Sequence, residues 1–349
     1  MNASGRIQLV SIGSGWVVSN RHIPALSRSK DFEVIAIAGQ QEWKLEALAR
    51  KYGIPKHFTG DAAVEAGWLD DCEAVMIGAS PQSHYKLVKF CLEHDKHVLV
   101  EKPFTLSQAE SLELVELARG ANLRLCVVHN LQFSDAAQKL DSEIRNGRLG
   151  NIVGLHGVQL GNSLRRLPDW YEDLPWGLFF DESPHLLYLL DRFGLGITPT
   201  MVLHVESTSG LRTPAVVQGV FSTGLRKPAS LYLNFESPVS EWFVFVYGDR
   251  RMGVLDIFRD IYFSLPNDKR HRARNILRTS CGAVLGHVAG FGRSGIKEVT
   301  GRHAWGYDVV LGRFGRAIRE GCDPADIAAR DALRINELQF KIIDMAVEA

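Results

Sequence analysis

The first 130 residues alternate short apolar runs with helix-like segments at regular intervals. The apolar runs are rich in β-branched residues and lie at Ile7–Ile12, Val34–Ala38, Ala74–Ile77, Val98–Val100 and Leu123–Val128. Segments with helical spacing of apolar residues lie between them, at Glu42–Tyr52, Ser83–His94 and Ser107–Ala118. Because parallel strands need helical crossovers and are covered on both faces, this pattern predicts a doubly wound α/β domain of the Rossmann type.

After about His129 the rhythm changes to β-rich stretches joined by connections too short for crossover helices. The predicted strands lie at Ile152–Leu160, Met201–Glu206, Ala215–Ser222, Ala229–Glu236, Glu241–Tyr247 and Arg251–Ile257. Helices are predicted at Asp135–Asn146, Trp305–Glu320 and Ala325–Val347. Direct connections favour antiparallel pairing, so the second part is predicted to be an α+β domain with a largely antiparallel open sheet. The predicted domains are residues 1–128 and 129–349, as expected for 349 residues.

The composition excludes several classes of protein. Lys plus Arg and Asp plus Glu number 40 each, so the formal net charge is zero and nothing global attracts nucleic acid or an anionic membrane. No run of 18 apolar residues predicts a membrane span. Met1–Gly5 leads straight into the first apolar run without the pattern of a signal peptide, so a cytoplasmic protein is expected.

Five cysteines are present, at positions 72, 91, 126, 281 and 322. They are odd in number and far apart, and they form no C-x-x-C pair or other spacing typical of metal ligands. We therefore expect reduced thiols and no metal site.

A glycine-containing turn directly follows the first predicted strand and reads Gly13-Ser14-Gly15-Trp16-Val17-Val18. Two glycines permit a tight turn at which backbone N–H groups can approach a pyrophosphate, and the following helix N-terminus adds a positive dipole end. At the first strand-to-helix turn of an alternating α/β domain, this turn predicts a dinucleotide site, although Val18 replaces the third glycine of the fingerprint. Residues 1–128 are therefore the predicted dinucleotide-binding domain.

The end of the second predicted strand bears on the choice of dinucleotide. Ala38 is followed by Gly39-Gln40-Gln41, where an acidic residue normally accepts the ribose hydroxyls of NAD. No carboxylate repels a 2′-phosphate here, and no adjacent Arg recruits one. The sequence leaves NAD and NADP as alternatives.

Three segments together resemble the Gfo/Idh/MocA family, which is named after glucose-fructose oxidoreductase, inositol dehydrogenase and a rhizopine-catabolism protein. They are the Gly13–Gly15 turn, Ala79-Ser80-Pro81-Gln82-Ser83-His84, and His97-Val98-Leu99-Val100-Glu101-Lys102-Pro103. Asn130 matches the Asn of the family's N-x-R-F segment. The resemblance covers residues 6–190 and 303–347 and fails between about 260 and 300.

The resemblance implies which residues hold NAD or NADP. They are Gly13, Ser14, Gly15, Trp16, Val17, Gln40, Ala79, Ser80, Pro81, His84, Glu101, Lys102 and Asn130. It also implies hydride transfer between the nicotinamide and a secondary alcohol or ketone of a sugar, nucleotide sugar or cyclitol. The expected partner is therefore a small polyhydroxylated molecule bound by residues 129–349. The same domain is expected to form a homo-oligomer, a dimer or a tetramer, because an open sheet face is a common dimerisation surface in the family.

The second signature of the family, an Asp and a His four residues apart, is matched by Asp181 and His185. Ser183 and Pro184 are residue types of an N-cap and a first helical position, so they predict a helix over Pro184–Phe193. His185 would then lie in the first turn, where the helix dipole disfavours imidazolium and keeps a neutral base. Asp181 would precede the cap in extended chain.

Alcohol oxidation needs a base for the hydroxyl proton and a cation for the developing alkoxide. By resemblance, Lys102 and His185 take these roles as a pair, and Asp181 orients His185 or the substrate. Each has a structural alternative: Lys102 as a surface lysine, His185 as a satisfied interfacial histidine, and Asp181 as a helix cap. His84 and Glu101 are expected to be cofactor-side or structural groups.

Three departures from the family pattern lie on the substrate side. Gln132 stands where an Arg is usual, Glu182-Ser183-Pro184 replaces a glycine-containing linker, and Tyr188 replaces a second aspartate. Gln132, Trp170 and Trp176 are candidate substrate contacts, and ordinary core packing is the alternative for the two tryptophans.

Two other functions stay open at this point. One is a redox-neutral enzyme that oxidises a sugar transiently on tightly held NAD, eliminates the glycosidic group and reduces the sugar again. The other is a non-catalytic binder that senses dinucleotide, although Lys102, Asp181 and His185 are retained.

A strongly basic stretch falls where the resemblance fails. Residues 269–278 contain five Lys or Arg in ten positions and precede the weakly apolar segment Cys281–Phe291. A solvated helix face is the default interpretation. The alternatives are an anion site, for a nucleotide-sugar diphosphate or a phospholipid surface, and a helix that binds a partner.

Overall fold

The computed structural model describes residues 5–60, 67–165, 167–301 and 303–348. Residues 1–4, on which the prediction about a signal peptide partly depends, lie outside the described residues. The chain divides into two compact units. The first unit comprises the residues up to Asn130 together with Tyr307–Glu337, and the second comprises Leu131–Gly306 and the residues from Leu338 onward.

Thirteen strands and nine helices form in the described part of the chain. The strands are β1 (Ile7–Ile12), β2 (Phe32–Gly39), β3 (Lys56–Thr59), β4 (Ala74–Ile77), β5 (His97–Val100), β6 (Leu125–Val127), β7 (Ile152–Asn162), β8 (Ile197–Val205), β9 (Val216–Thr223), β10 (Pro228–Ser237), β11 (Glu241–Gly248), β12 (Arg251–Asp256) and β13 (Ile261–Pro266). The helices are α1 (Ile23–Arg28), α2 (Glu42–Tyr52), α3 (Pro81–Glu93), α4 (Gln108–Gly120), α5 (Asp135–Arg145), α6 (Leu178–Phe193), α7 (Ala273–Val299), α8 (Tyr307–Glu320) and α9 (Ala329–Val347).

The first unit contains a six-stranded sheet in the order β3-β2-β1-β4-β5-β6. Every pairing in it is parallel, and the strands β1, β4, β5 and β6 are largely buried, as the continuous apolar runs predict. The order reverses at β1, which lies between β2 and β4, and ligands of such sheets bind beyond the carboxyl ends of the strands at this point. The predicted Rossmann fold is confirmed.

Helix ends in the first unit follow local capping rules. The Ser107 hydroxyl accepts a hydrogen bond from the Glu110 N–H at 3.2 Å and so caps the start of α4. At the carboxyl end of the chain, α8 packs against α1, and the Phe314 ring stacks on Phe32 of β2 at 5.7 Å. Strand β3 was not predicted, because Lys56–Thr59 is a largely exposed edge strand without apolar periodicity.

The second unit contains a seven-stranded sheet in the order β13-β12-β11-β7-β10-β9-β8. All its pairings are antiparallel except β7 with β10, so the predicted largely antiparallel sheet is confirmed. Helix α6 packs against β7, β10 and β11 at the centre of the sheet. Strand β13 was missed at the edge of the sheet, where it ends at Pro266.

The predicted start of the helix at Pro184 is wrong. Helix α6 begins at Leu178, and Pro184 lies inside it. A proline within a helix leaves the carbonyl four residues earlier without its N–H donor. Here the buried Gln339 amide of α9 donates to that carbonyl, of Phe180, at 2.7 Å and to the Ser183 hydroxyl at 3.0 Å. A donor from the far end of the chain therefore lets the helix continue through Pro184.

No helix within the described ranges combines the length and the apolar character needed to cross a bilayer.

Replacing Gln339 by Leu keeps most of the side-chain volume and removes the donor to Phe180. We expect the free energy of unfolding to fall by about 1–3 kcal/mol, because a buried carbonyl loses its partner, as measured by urea denaturation. Lys341→Ala, at an exposed position of the same helix, should change it by less than about 0.5 kcal/mol. In a Pro184→Ala background residue 184 regains an N–H, so the Gln339→Leu change should cost less there; an equal cost in both backgrounds would contradict this role.

Candidate functional site

The glycine turn at the carboxyl end of β1 depends on close backbone approach. Gly13 has a φ of +122° and donates its N–H to the Ala38 carbonyl of β2 at 2.7 Å. A Cβ atom at position 13 would lie 2.6 Å from the Gly78 carbonyl oxygen, at the end of β4. Both observations require glycine here, because an L side chain rarely adopts this φ and has no room.

Val18, at the position of the third glycine of the fingerprint, is fully buried. Its space comes from Gly78, where a Cβ atom would lie 2.5 Å from a Val18 methyl carbon. Residues 16–28 are helical, with a π-helical turn over Val18–His22 that leads into α1. The third fingerprint glycine is absent from the helix, and Gly78, directly after β4, provides the space instead.

The outer edge of the turn is open. A Cβ atom at Gly15 would have no heavy atom within 4 Å outside its own neighbours. The first N–H groups of the helical segment have no intrahelical partner and carry its positive dipole end. Trp16 is 63% exposed, and the Arg21 guanidinium lies 5.2 Å from its ring centroid. This combination of open space, N–H groups and positive charge suits a pyrophosphate.

The end of β2 lies beside this turn. Ser14 Oγ would be 3.4 Å from a Cβ atom at Gly39, the last residue of β2. Gln40 and Gln41 follow and are exposed. The position that selects the ribose end of a dinucleotide therefore carries amides rather than a carboxylate.

The turn between β4 and α3 is fixed by a buried histidine. Ser80 occupies the N-cap and Pro81 the first position of α3. His84 is buried, with Nδ1 2.8 Å from the Pro103 carbonyl and Nε2 3.2 Å from the Ala79 carbonyl. Burial lowers the pKa of His84, against the opposing effect of the two carbonyls. His84 thus joins the turn after β4 to the segment after β5, which is a structural role.

Glu101 forms the centre of a buried polar cluster at the carboxyl end of β5. Its Oε1 accepts hydrogen bonds from His22 Nε2 at 2.8 Å and from the Tyr307 hydroxyl at 2.9 Å, and its Oε2 accepts from the Lys102 N–H at 3.1 Å. Burial alone would raise the pKa of this carboxyl, but the hydrogen bonds and the charge of Lys102 outweigh it and the pKa is lowered. Tyr307 begins α8, and sequence reasoning missed it.

Lys102 directly follows Glu101, and Asn130 lies beyond the end of β6, the strand paired with β5. Lys102 is half-buried, and its peptide bond to Pro103 is cis. Asn130 is buried and follows His129, whose pKa is lowered to about 4 by burial, so His129 is neutral at physiological pH. Lys102 is thus held beside the buried cluster through its own N–H, which donates to Glu101.

In the second unit Asp181 and His185 both lie on α6. Their spacing of four residues places them on the same face of the helix. Asp181 is in the first turn rather than in extended chain, and His185 is one turn further on, so the predicted N-terminal position of His185 is wrong. The predicted effect of the α6 N-terminal dipole on His185 therefore does not apply.

Tyr188 and Trp242 surround the His185 ring. The distance from His185 Nδ1 to the Tyr188 hydroxyl oxygen is 2.9 Å, and that oxygen accepts the Leu131 N–H at 3.1 Å. Trp242 of β11 is buried, with its ring 5.5 Å from the imidazole. Tyr188 therefore helps to fix the orientation of the imidazole through Nδ1. The sequence showed Tyr188 only as a departure from the family and gave no signal for Trp242.

Glu182 adds a second ionic group beside Asp181. Both of its carboxylate oxygens lie within 2.7 Å of Arg165 Nη2, and Gln159 also donates to it. All three side chains belong to the second unit and are largely buried. Glu182 belongs to the segment Glu182-Ser183-Pro184, which departs from the family pattern, so this ionic cluster lies where the sequence differs from the family.

The candidate substrate contacts have partners within the second unit. Gln132 is buried, and its Oε1 accepts from Arg192 at 3.2 Å, while Arg192 also pairs with Asp141 at 3.1 Å. The Trp176 ring lies 5.4 Å from Phe179 and 5.3 Å from His204. Trp170 is half-buried and precedes a short 3₁₀ turn at Tyr171–Asp173.

Part of the first unit matches a known protein family. Residues 7–129 match a family model described as an oxidoreductase family with an NAD-binding Rossmann fold, Gfo/Idh/MocA. Residues 7–129 therefore belong to the Gfo/Idh/MocA oxidoreductase family. The predicted resemblance is confirmed for this part of the chain, which holds the Gly13 turn and Lys102.

Curated relatives and solved structures extend the likeness. An uncharacterized oxidoreductase of Schizosaccharomyces pombe is 33% identical over 185 residues, which is 52% of this chain and 50% of that protein. The chain thus spans about half the length of this relative. The 1,5-anhydro-D-fructose reductase of Ensifer adhaerens is 26% identical over 241 residues, which is 67% of this chain and 68% of the reductase.

A likeness in fold covers almost the whole chain. The structure of a 3-ketoreductase from Actinomadura kijaniata in complex with NADP and TDP-benzene superposes with a TM-score of 0.75. It covers 98% of both chains at 18% identity. At this identity the likeness establishes the fold alone, including that of the second unit.

Replacing Glu101 by Gln tests the buried cluster. Because the folded pKa of Glu101 is lowered, its contribution to stability is present above the unfolded value of about 4.5 and is lost as the pH falls through the folded value. We expect Glu101→Gln to lower the free energy of unfolding by about 1–3 kcal/mol at pH 7 and by less at pH 4, measured by urea denaturation. Glu93→Gln, at an exposed position, should show a small effect at both values. A pH-independent loss for Glu101→Gln would contradict an ionised buried carboxylate.

Proposed function

We propose that this protein is an NAD(P)-dependent oxidoreductase that transfers hydride between the nicotinamide and a secondary alcohol or ketone of a sugar, nucleotide sugar or cyclitol. One observation carries the proposal: the Gly13–Gly15 turn lies at the carboxyl end of β1, where the strand order reverses. The family model that covers this turn and the names of the relatives support the same class of chemistry.

The described residues fit a dinucleotide. Position 15 has open space where a Cβ atom would meet nothing within 4 Å, and helix N–H groups lie beside it. When bound, the nicotinamide supplies the hydride-accepting or hydride-donating carbon. Exposed Gln40 leaves both NAD and NADP as candidates, and the structural neighbour from Actinomadura kijaniata contains NADP.

The protein's own groups supply proton transfer and charge stabilisation. We assign Lys102 to stabilise the developing alkoxide and His185 to exchange the hydroxyl proton, roles that the family resemblance implies. The Tyr188 hydroxyl orients the His185 imidazole through Nδ1. Asp181, on the same face of α6, orients His185 or a substrate hydroxyl.

The proposal includes a homo-oligomeric, cytoplasmic protein. Met201, Leu203 and Val205 alternate along the edge strand β8 and are each about half exposed, at 49%, 53% and 56%. A row of large apolar side chains at a sheet edge is typical of a surface that another copy covers.

Two glycine substitutions separate dinucleotide binding from folding. Gly15→Ala places a methyl group in the open space, so we expect it to weaken NAD(H) or NADP(H) binding about tenfold or more with little change in thermal midpoint. Gly13→Ala, which meets the Gly78 backbone, should lower the midpoint itself. Thermal shift with each dinucleotide measures both effects. Unchanged affinity in folded Gly15→Ala would argue against the turn as the binding site.

Lys102→Ala and His185→Ala test the reaction. Each should lower turnover by about 10²–10⁴-fold, because the reaction loses its charge stabiliser or its proton carrier. Both variants should still bind dinucleotide, and His185→Ala should bind it like the wild type. The assay follows reduced nicotinamide by its near-ultraviolet absorbance, with polyols, cyclitols and nucleotide sugars as substrates. Full activity in either variant would refute the assigned roles.

The matched control is Lys341→Ala on the exposed side of α9, which should keep wild-type turnover. Release of a sugar without net change in reduced nicotinamide would instead identify the redox-neutral reaction.

A further inference from the structure

Helix α7 lies on the second unit with its small side chains inward. It packs against β13, and its partly buried positions include Thr279, Ala283, Gly286 and Gly290. A Cβ atom at Gly286 would lie 2.9 Å from Phe263, and one at Gly290 would lie 2.6 Å from Ile261. Glycine at these positions therefore allows the helix backbone to lie directly on the strand.

The large apolar side chains of α7 point away from the protein. Leu277, Val284, Leu285, Val288 and Phe291 are 65%, 62%, 68%, 62% and 59% exposed. Their spacing of three, four and seven residues places them on one face. None of the 27 residues of α7, all of them described, is buried. A surface helix of a soluble protein normally turns such a face to the core, so this helix is inverted.

Basic residues lie at both ends of this segment. Residues 269–297 contain Lys269, Arg270, Arg272, Arg274, Arg278, Arg293 and Lys297 and no Asp or Glu. Lys297 pairs with Asp135. The other six are exposed, and no ion pair forms for them within the described ranges of the chain. The zero net charge of the chain therefore conceals a local positive surface.

We propose that α7 binds the surface of an anionic phospholipid bilayer. The apolar face of Leu277, Val284, Leu285, Val288 and Phe291 would enter the boundary between headgroups and acyl chains, and the cationic side chains of residues 269–278 would contact the phosphates. The helix lies in the plane of the interface.

Charge favours this occupant over two others. A second copy of the chain would bring one carboxylate-free basic segment against another, without opposite charge. A nucleic acid would neutralise the cations but leave five large apolar side chains in water. An anionic bilayer complements both the charge and the apolar face.

The first experiment is co-sedimentation of the full-length protein with vesicles. Vesicles of phosphatidylcholine with about one third phosphatidylglycerol should bind the protein, and binding should weaken at high salt because the phosphate contacts are screened. Vesicles of phosphatidylcholine alone should bind at least about tenfold less. Equal binding to both vesicle types, or none to either, would overturn the proposal.

Two double variants separate the charges from the apolar face. Arg272→Glu with Arg274→Glu, and Leu285→Ser with Val288→Ser, should each reduce binding to anionic vesicles by about tenfold or more. Both pairs are exposed, so the thermal midpoint and circular dichroism should stay unchanged. The matched control is Arg226→Glu with Lys227→Glu, exposed in the turn between β9 and β10, which should bind like the wild type. Equal losses in the control would show that only total charge matters and would refute a site on α7.

Light scattering without lipid tests the competing occupant. The oligomeric state should be the same in the wild type and in Leu285→Ser with Val288→Ser. Dissociation of an oligomer by this variant would assign the face to a second copy and overturn the membrane proposal. The readouts need no dinucleotide or substrate, so they are independent of the proposed enzymatic function.

Discussion

The buried carboxylate of Glu101 is the interaction on which the first unit depends. It joins the helical segment after the nucleotide turn, through His22, to the end of β5 and, through Tyr307, to the first residue of α8. A buried charge of this kind is tolerable only when donors surround it, so the fold must bring all three segments to the carboxylate. The cluster also holds the backbone of Lys102, because the Lys102 N–H donates to the Glu101 carboxylate.

Local rules predict the regular parts of the fold and fail where distant residues decide. Helix α2 begins and ends where its apolar spacing places it, and Ser107 caps α4 as its residue type suggests. Pro184 marks a helix start by every local rule, yet α6 continues through it because the Gln339 amide replaces the missing donor. No pattern near Pro184 contains that information. Edge strands such as Lys56–Thr59 are not predicted for a different reason, since half-solvated polar strands carry no periodic apolar signal.

In the candidate site, too, local sequence predicts some residues and distant contacts decide the others. Short motifs locate Gly13, Lys102, Asp181 and His185, because each motif is contiguous in sequence. The residues that pack around them are distant in sequence. Gly78 makes room for Val18, and Tyr307 hydrogen-bonds Glu101. Tyr188 and Trp242 contact His185. Gln132 and Trp176, predicted to contact substrate, have partners within the second unit, Arg192 for Gln132 and Phe179 and His204 for Trp176. Sequence motifs supply the proposed reacting groups, whereas the groups that orient them appear only in three dimensions.

The inverted packing of α7 has a consequence for how this fold can vary. With its own side chains contributing nothing fully buried, the helix rests on β13 through glycines rather than through an interlocking core. Gly286 and Gly290 are constrained by contact with β13, whereas the outward positions of α7 carry no packing constraint from the sheet beneath. A change of charge or hydrophobicity at those outward positions therefore alters the surface of the protein without altering its core.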